Sequence, residues 1–84
     1  MKYELTPQLD SRQSFYRKAI VEDNRLYSYD TFVCEVKDNE YYLNGDISRD
    51  LLLSQTTMRH IKEFIYQTLG IIAHKKDLIA HIRG

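Results

Sequence analysis

The chain has 84 residues, 43% of them hydrophobic and 29% charged, with twelve basic and twelve acidic side chains and no net charge. A chain this short buries only about 60–65% of its extended surface, so it builds one modest core and no deep substrate cleft. Its composition is that of a globular domain rather than a disordered tail, balanced charge suits non-specific phosphate binding poorly, and no apolar run approaches the roughly 18 residues that span a bilayer.

The charge is unevenly placed. Residues 1–50 carry seven basic and ten acidic side chains, whereas residues 51–84 carry five and two, with all three histidines. Such polarity can steer docking or head-to-tail association, although basic residues on a solvated helix face give the same asymmetry. Cys34 is the only cysteine, which rules out an internal disulfide and a cysteine-based zinc cage. The first residues lack the apolar core of a signal peptide, and with a single cysteine a reducing cytoplasm is the expected setting.

Residues 1–14 are polar and broken by Pro7. They read as a loosely docked N-terminal arm, with Thr6-Pro7 able to start a short helix. From Phe15 the apolar pattern alternates, and two stretches echo each other: Val21-Glu22-Asp23-Asn24-Arg25-Leu26-Tyr27 and Val36-Lys37-Asp38-Asn39-Glu40-Tyr41-Tyr42. Asp and Asn tolerate the left-handed backbone of a two-residue turn best after glycine, so each stretch predicts a hairpin. Glu22 then opposes Arg25, Ile20 opposes Tyr27, Val21 opposes Leu26, and Lys18 opposes Tyr29. In the second hairpin Lys37 opposes Glu40, Glu35 opposes Tyr42, Val36 opposes Tyr41, Cys34 opposes Leu43, and Val33 opposes Asn44. Strict alternation places Phe32, Cys34, Val36 and Leu43 on one face and Tyr27, Tyr29 and Tyr42, with Ile20 and Val33, on the other. Tyr29-Asp30-Thr31 is short enough to make the hairpins neighbours, giving a four-stranded antiparallel meander over residues 15–45.

Residues 46–53 follow Asn44-Gly45 with weak periodicity and suit a short strand or a helical turn. Residues 54–70 predict the main helix. Thr56 or Thr57 would cap it, Gly70 would end it, and Met58, Ile61, Phe64, Ile65, Leu69 and Ile72 form its apolar stripe. Arg59, Lys62, Glu63, Tyr66 and Gln67 fall on its polar side. A short C-terminal helix is expected at about 73–83, within segment 71–84, with Leu78, Ile79 and Ile82 as its apolar side. The fold class is therefore α+β, one domain over residues 1–84, with the main helix on one face of the meander.

No catalytic set emerges. The gaps between His60, His74 and His81 do not match the helical spacing of a zinc pair. His60 reads better as a capping or hydrogen-bonded histidine near the sheet, and Cys34 as a small core residue. Asp46 and Asp50 read as solvated turn carboxylates, because nothing would separate their pKa values. With glycine only at 45, 70 and 84, no phosphate-cradling loop can be built. No metal and no cofactor are expected.

The run Leu26-Tyr27-Ser28-Tyr29-Asp30-Thr31-Phe32-Val33-Cys34-Glu35-Val36, then Asn44-Gly45, then Ser54-Gln55-Thr56-Thr57-Met58-Arg59-His60-Ile61-Lys62-Glu63-Phe64, resembles a family of small proteins encoded by phages, plasmids and other mobile elements of Gram-positive bacteria. The likeness spans about residues 15–70. Cys34 departs from the family's usual small residue, and residues 46–53 look like an insertion. The resemblance implies an origin and a fold but no reaction. It also implies structural roles for Tyr29, Thr31, Thr57 and His60, as a strand corner, a helix cap and a helix–sheet contact.

Seven tyrosines are the clearest functional signal, since tyrosine is enriched at protein interfaces. The leading expectation is a non-enzymatic mobile-element protein that binds and blocks a host protein, such as a CRISPR nuclease, as an anti-defence inhibitor. Its candidate contact residues are Tyr27, Tyr29, Tyr42, Lys18, Arg59, Lys62 and Tyr66. One alternative is a small nucleic-acid-binding regulator using Lys75, Lys76, Arg83, Arg59 and Lys62. Another is a homodimer pairing through an edge strand or the C-terminal helix. The tyrosine face could also be covered by the chain's own arm or C-terminal helix.

The helix stripe yields a stability prediction. Phe64→Ala should cost about 2–5 kcal/mol if the ring is fully buried, read as a lowered midpoint in urea denaturation.

Overall fold

A computed structural model describes residues 1–11 and 13–83; Arg12 of the expected arm and Gly84 at the end of the chain lie outside the described residues. Six strands form one mixed sheet in chain order. They are β1 (Lys2–Glu4), β2 (Ala19–Glu22), β3 (Arg25–Ser28), β4 (Thr31–Lys37), β5 (Glu40–Asn44) and β6 (Ile82–Arg83). Helices α1 (Arg49–Leu52), α2 (Gln55–Leu69) and α3 (Lys75–Ala80) lie between β5 and β6 in the chain. The four-stranded meander is thus the centre of the sheet, and each terminus of the chain adds one more short strand to it.

The hairpin registers follow the alternation. Val21 opposes Leu26 and Glu22 opposes Arg25 across β2–β3. Cys34 opposes Leu43 and Lys37 opposes Glu40 across β4–β5. Asp23-Asn24 and Asp38-Asn39 hold left-handed backbone at both turn positions. The link between the hairpins is a third reversal of the same kind, because Tyr29 and Asp30 are also left-handed and Ser28 pairs directly with Thr31.

One face assignment changes. A bulge interrupts β3–β4, so Leu26 opposes Cys34 while Tyr27 opposes Phe32. Val33 is the extra residue, and both Val33 and Cys34 turn into the core, 1% and 0% exposed. Phe32 is displaced to the opposite face beside Tyr27, where strict alternation had placed Val33. A bulge swaps the faces on one side of itself, which a pattern read in strict twos cannot show.

Helix α2 packs on β3 and β4, with Ile61, Phe64 and Ile65 buried. Ser54, rather than Thr56 or Thr57, is the N-cap: its Oγ accepts from the Thr57 amide at 3.3 Å and donates to Thr57 Oγ1 at 2.8 Å. Gly70 ends the helix with φ 71°. Ile72 lies beyond the helix and is exposed. Residues 46–53 contain a helical turn, α1, capped by Ser48; Leu52 from it is fully buried.

Both ends of the chain are held more firmly than expected. The N-terminal segment is no loose arm: β1 pairs with β2, and Leu5 and Phe15 join the core. The predicted helix at 73–83 stops at Ala80, and Ile82–Arg83 pairs parallel to β5. Two backbone bonds hold this strand, Leu43 N to His81 O at 2.9 Å and Gly45 N to Arg83 O at 2.7 Å. A Cβ on Gly45 would sit 2.8 Å from that same Arg83 oxygen. Gly45→Ala is therefore expected to destabilise by about 1–3 kcal/mol through overpacking against backbone, with accelerated amide exchange at position 45 and at Leu43 as the direct readout.

Candidate functional site

The contact residues nominated by the sequence separate into two surfaces. All three helices and the N-terminal segment gather on one side of the sheet, where Leu5, Ala73 and Leu78 complete the core. The other side carries Ile20, Tyr27, Phe32 and Tyr42, all half-buried. Tyr27 and Phe32 lie with ring centroids 6.0 Å apart.

Two arginines lie over this aromatic row. The Arg25 guanidinium stands 4.9 Å from the Phe32 ring centre, with its Nε 3.6 Å from a Glu35 carboxylate oxygen. The Arg83 guanidinium stands 3.7 Å from the Tyr42 ring centre. An arginine stacked on an aromatic ring keeps donors free at its edges. The Tyr42 hydroxyl donates to Glu40 at 2.5 Å. That bond to a carboxylate, with smaller effects of burial and of the Glu40 charge, raises the phenol above its ordinary pKa.

Lys18, Tyr29 and Arg59 belong elsewhere. Tyr29 sits in the β3–β4 turn, and its ring lies 6.0 Å from His60 on the helix side rather than in the Tyr27 row. Lys18 Nζ is 5.8 Å from the Tyr29 ring centre, and the Tyr29 amide donates to Lys18 O at 2.8 Å, as the first hairpin register requires. These residues border a hollow of about 310 Å³ that Arg59 and His60 also line. Lys62 faces a separate recess beside Leu9, Asp10 and Glu63, and Tyr66 is half-buried on α2.

His60 makes the helix–sheet contact that the family resemblance implied. It is 1% exposed, its Nδ1 is 2.8 Å from Ser28 Oγ, and its ring meets Phe15 edge-on at 4.6 Å. Cys34 is inert by environment. Burial, with a smaller contribution from the Glu35 charge, pushes its thiol pKa well up, so the nucleophilic thiolate is disfavoured at neutral pH. Among the described residues no group of histidines, cysteines and carboxylates could hold a metal ion, and no helix is long and apolar enough to cross a membrane.

Glu63 departs most from its expected place. Helical spacing assigns it to the polar side of α2, yet it is 1% exposed. Its carboxylate accepts from the Leu9 amide at 2.9 and 3.1 Å, the Asp10 amide at 3.1 Å and Gln67 Nε2 at 2.7 Å. Gln67 Nε2 also donates to Thr6 O at 2.7 Å, and Arg59 Nε lies 3.8 Å from Asp10 Oδ2. A buried carboxylate requires such saturation, and here the donors come from the N-terminal segment.

The arrangement is that of a small open-faced α+β module: one helical layer, one uncovered aromatic–arginine sheet face, and one cation-bordered hollow at the sheet's end. A family model matches residues 3–80, and the chain belongs to that family, DUF8033, a family of unknown function. No curated protein and no solved structure matches it.

Glu63→Ala is expected to cost about 1.5–3 kcal/mol, the usual worth of hydrogen bonds to a charged group. Faster amide exchange confined to Leu9, Asp10 and their neighbours would mark release of the N-terminal segment.

Proposed function

We propose that this chain is a non-enzymatic binding protein that lays its outer sheet face against another protein. The observation that carries the reading is the row Tyr27, Phe32 and Tyr42 with Arg25 and Arg83 stacked on it. Aromatic residues and arginine are the side chains that dominate protein interfaces, and among the described residues no helix packs over this row. Rings held by the sheet and guanidiniums held by the rings lose little freedom on binding. The guanidinium edges suit carboxylates or backbone carbonyls of a partner.

The narrower form of the proposal names the partner as a host defence component, such as a CRISPR nuclease, occupied and blocked by a phage or mobile-element protein. Its support is the resemblance of the Leu26–Val36 and Ser54–Phe64 stretches to proteins of that origin. Small size suits such a role, since blocking a surface needs contact area and no chemistry.

The test is interference in a CRISPR-competent bacterium challenged with a targeted phage. Expression of the chain should restore plaque formation, and the pair Arg25→Ala and Arg83→Ala should abolish it with little change in folding, since both side chains are exposed and substitutions at exposed positions are usually within about 0.5 kcal/mol. Unrestored plating, with no stoichiometric protein partner recovered from host lysate, would sink the proposal. A dimer in light scattering that both substitutions dissolve would reassign the face to self-association.

A further inference from the structure

Among the described residues four non-glycine pairs hold left-handed backbone: Tyr16-Arg17, Asp23-Asn24, Tyr29-Asp30 and Asp38-Asn39. Two of them open with aspartate, whose short side chain tolerates that conformation. The other two open with tyrosine, which does not. Strained, non-glycine backbone of this kind persists where the surroundings enforce it, and it concentrates at ligand clamps. At Tyr29 the two-residue reversal imposes the conformation, and both rings are left exposed, 73% for Tyr16 and 52% for Tyr29. Both border the same hollow.

That hollow has a consistent chemistry. The edge-on rings of Phe15 and His60 contribute to its wall, the latter fixed by Ser28. Lys18 and Arg59 line it, and among the described residues no carboxylate does. The nearest acid to Arg59 is Asp10, at 3.8 Å, and Glu4 is engaged by the Arg17 amide at 3.0 Å. Thr56, in the first turn of the 15-residue α2, completes the lining, and that turn holds no acidic residue to offset the helix's positive end. Its volume of about 310 Å³ is at the small end of ligand pockets.

Flat aromatic walls, two cations and an uncompensated helix start together select a planar ring carrying an anion. We propose that this hollow binds a nucleoside 5′-monophosphate, free or as the phosphorylated end of a strand, with the base against the tyrosine rings and the phosphate at Lys18 and Arg59. The site is separate from the outer sheet face and stands or falls without it.

The test is an NMR titration of the full chain with AMP, GMP, CMP and UMP, with ribose 5-phosphate, adenosine and inorganic phosphate, and with oligothymidylates bearing a 5′-phosphate or a 5′-hydroxyl. Saturable shifts at residues 14–18, 29 and 56–60 are expected for the nucleotides or the phosphorylated strand. Ligands missing either ring or phosphate should bind at least about tenfold more weakly. Whichever phosphorylated ligand binds tighter identifies the source. Tyr29→Asn separates binding from folding: asparagine suits the left-handed position, so thermal stability should hold or rise while affinity falls about tenfold. Arg59→Ala should weaken the nucleotide and leave residual adenosine binding alone. The proposal is overturned by no saturation with any nucleotide, by equal binding of inorganic phosphate, by an oligonucleotide indifferent to its 5′-phosphate, or by full affinity in Tyr29→Asn.

Discussion

Three reversals of two residues each join β2 through β5, and all six of their residues hold left-handed backbone. A two-residue reversal has no slack, so it fixes which residues oppose each other, and a one-residue slip would turn every side chain to the wrong face. Val21, Leu26, Cys34 and Leu43 therefore share one side of the sheet. The α2 stripe of Ile61, Phe64 and Ile65 has one apolar surface to meet. The helix layer, the cover supplied by Leu5 and Leu78, and the open aromatic face behind the sheet all depend on that register.

The legible part of this fold was the part where two local signals agreed. At Asp23-Asn24 and Asp38-Asn39 the turn chemistry, the alternation around it and the opposed flanking charges all specify the same pairing. At Tyr29-Asp30 the turn is equally tight, but tyrosine carries no turn signal, so the pattern showed only a short link. The bulge at Val33 left no trace, because Phe32, Val33 and Cys34 are all apolar and alternation among them has no contrast. The strand Ile82–Arg83 is two residues long and reads as a continuation of the α3 pattern. Glu63 was missed for a different reason. Its partners Leu9 and Asp10 stand more than fifty positions away, beyond the reach of helical periodicity.

The same limits explain how the candidate surface divided. Tyr27 and Tyr42 followed from the hairpin registers alone and lie on the open face. Tyr29 was grouped with them by parity counted through the turn, but the reversal carries it around to His60. Lys18 and Arg59 then belong with Tyr29, from β2's entry and from α2 respectively. Phe32 was lost from the open face and Phe15 from the hollow, both because their positions are set by backbone irregularities. The composition signal, seven tyrosines in 84 residues, says nothing of which rings share a surface. It could not divide one set into two.

The sheet's edges bear on where a partner can bind. An exposed strand edge invites pairing with another chain, and natural sheets blunt it with short or charged edge strands. Here β1 has three residues and β6 two. The amino terminus beside β1 is drawn to Asp23 at 2.9 Å, across the first hairpin turn. At the other edge β6 ends with Arg83, whose guanidinium folds back over Tyr42 instead of extending outward. Among the described residues each edge strand is short, so it supplies only a few backbone bonds at about 1 kcal/mol each. The binding role proposed above accordingly rests on side chains presented by faces. The open face supplies rings and guanidiniums held by the sheet, and the hollow at the sheet's end supplies rings set by left-handed reversals, so both candidate surfaces follow from the same register.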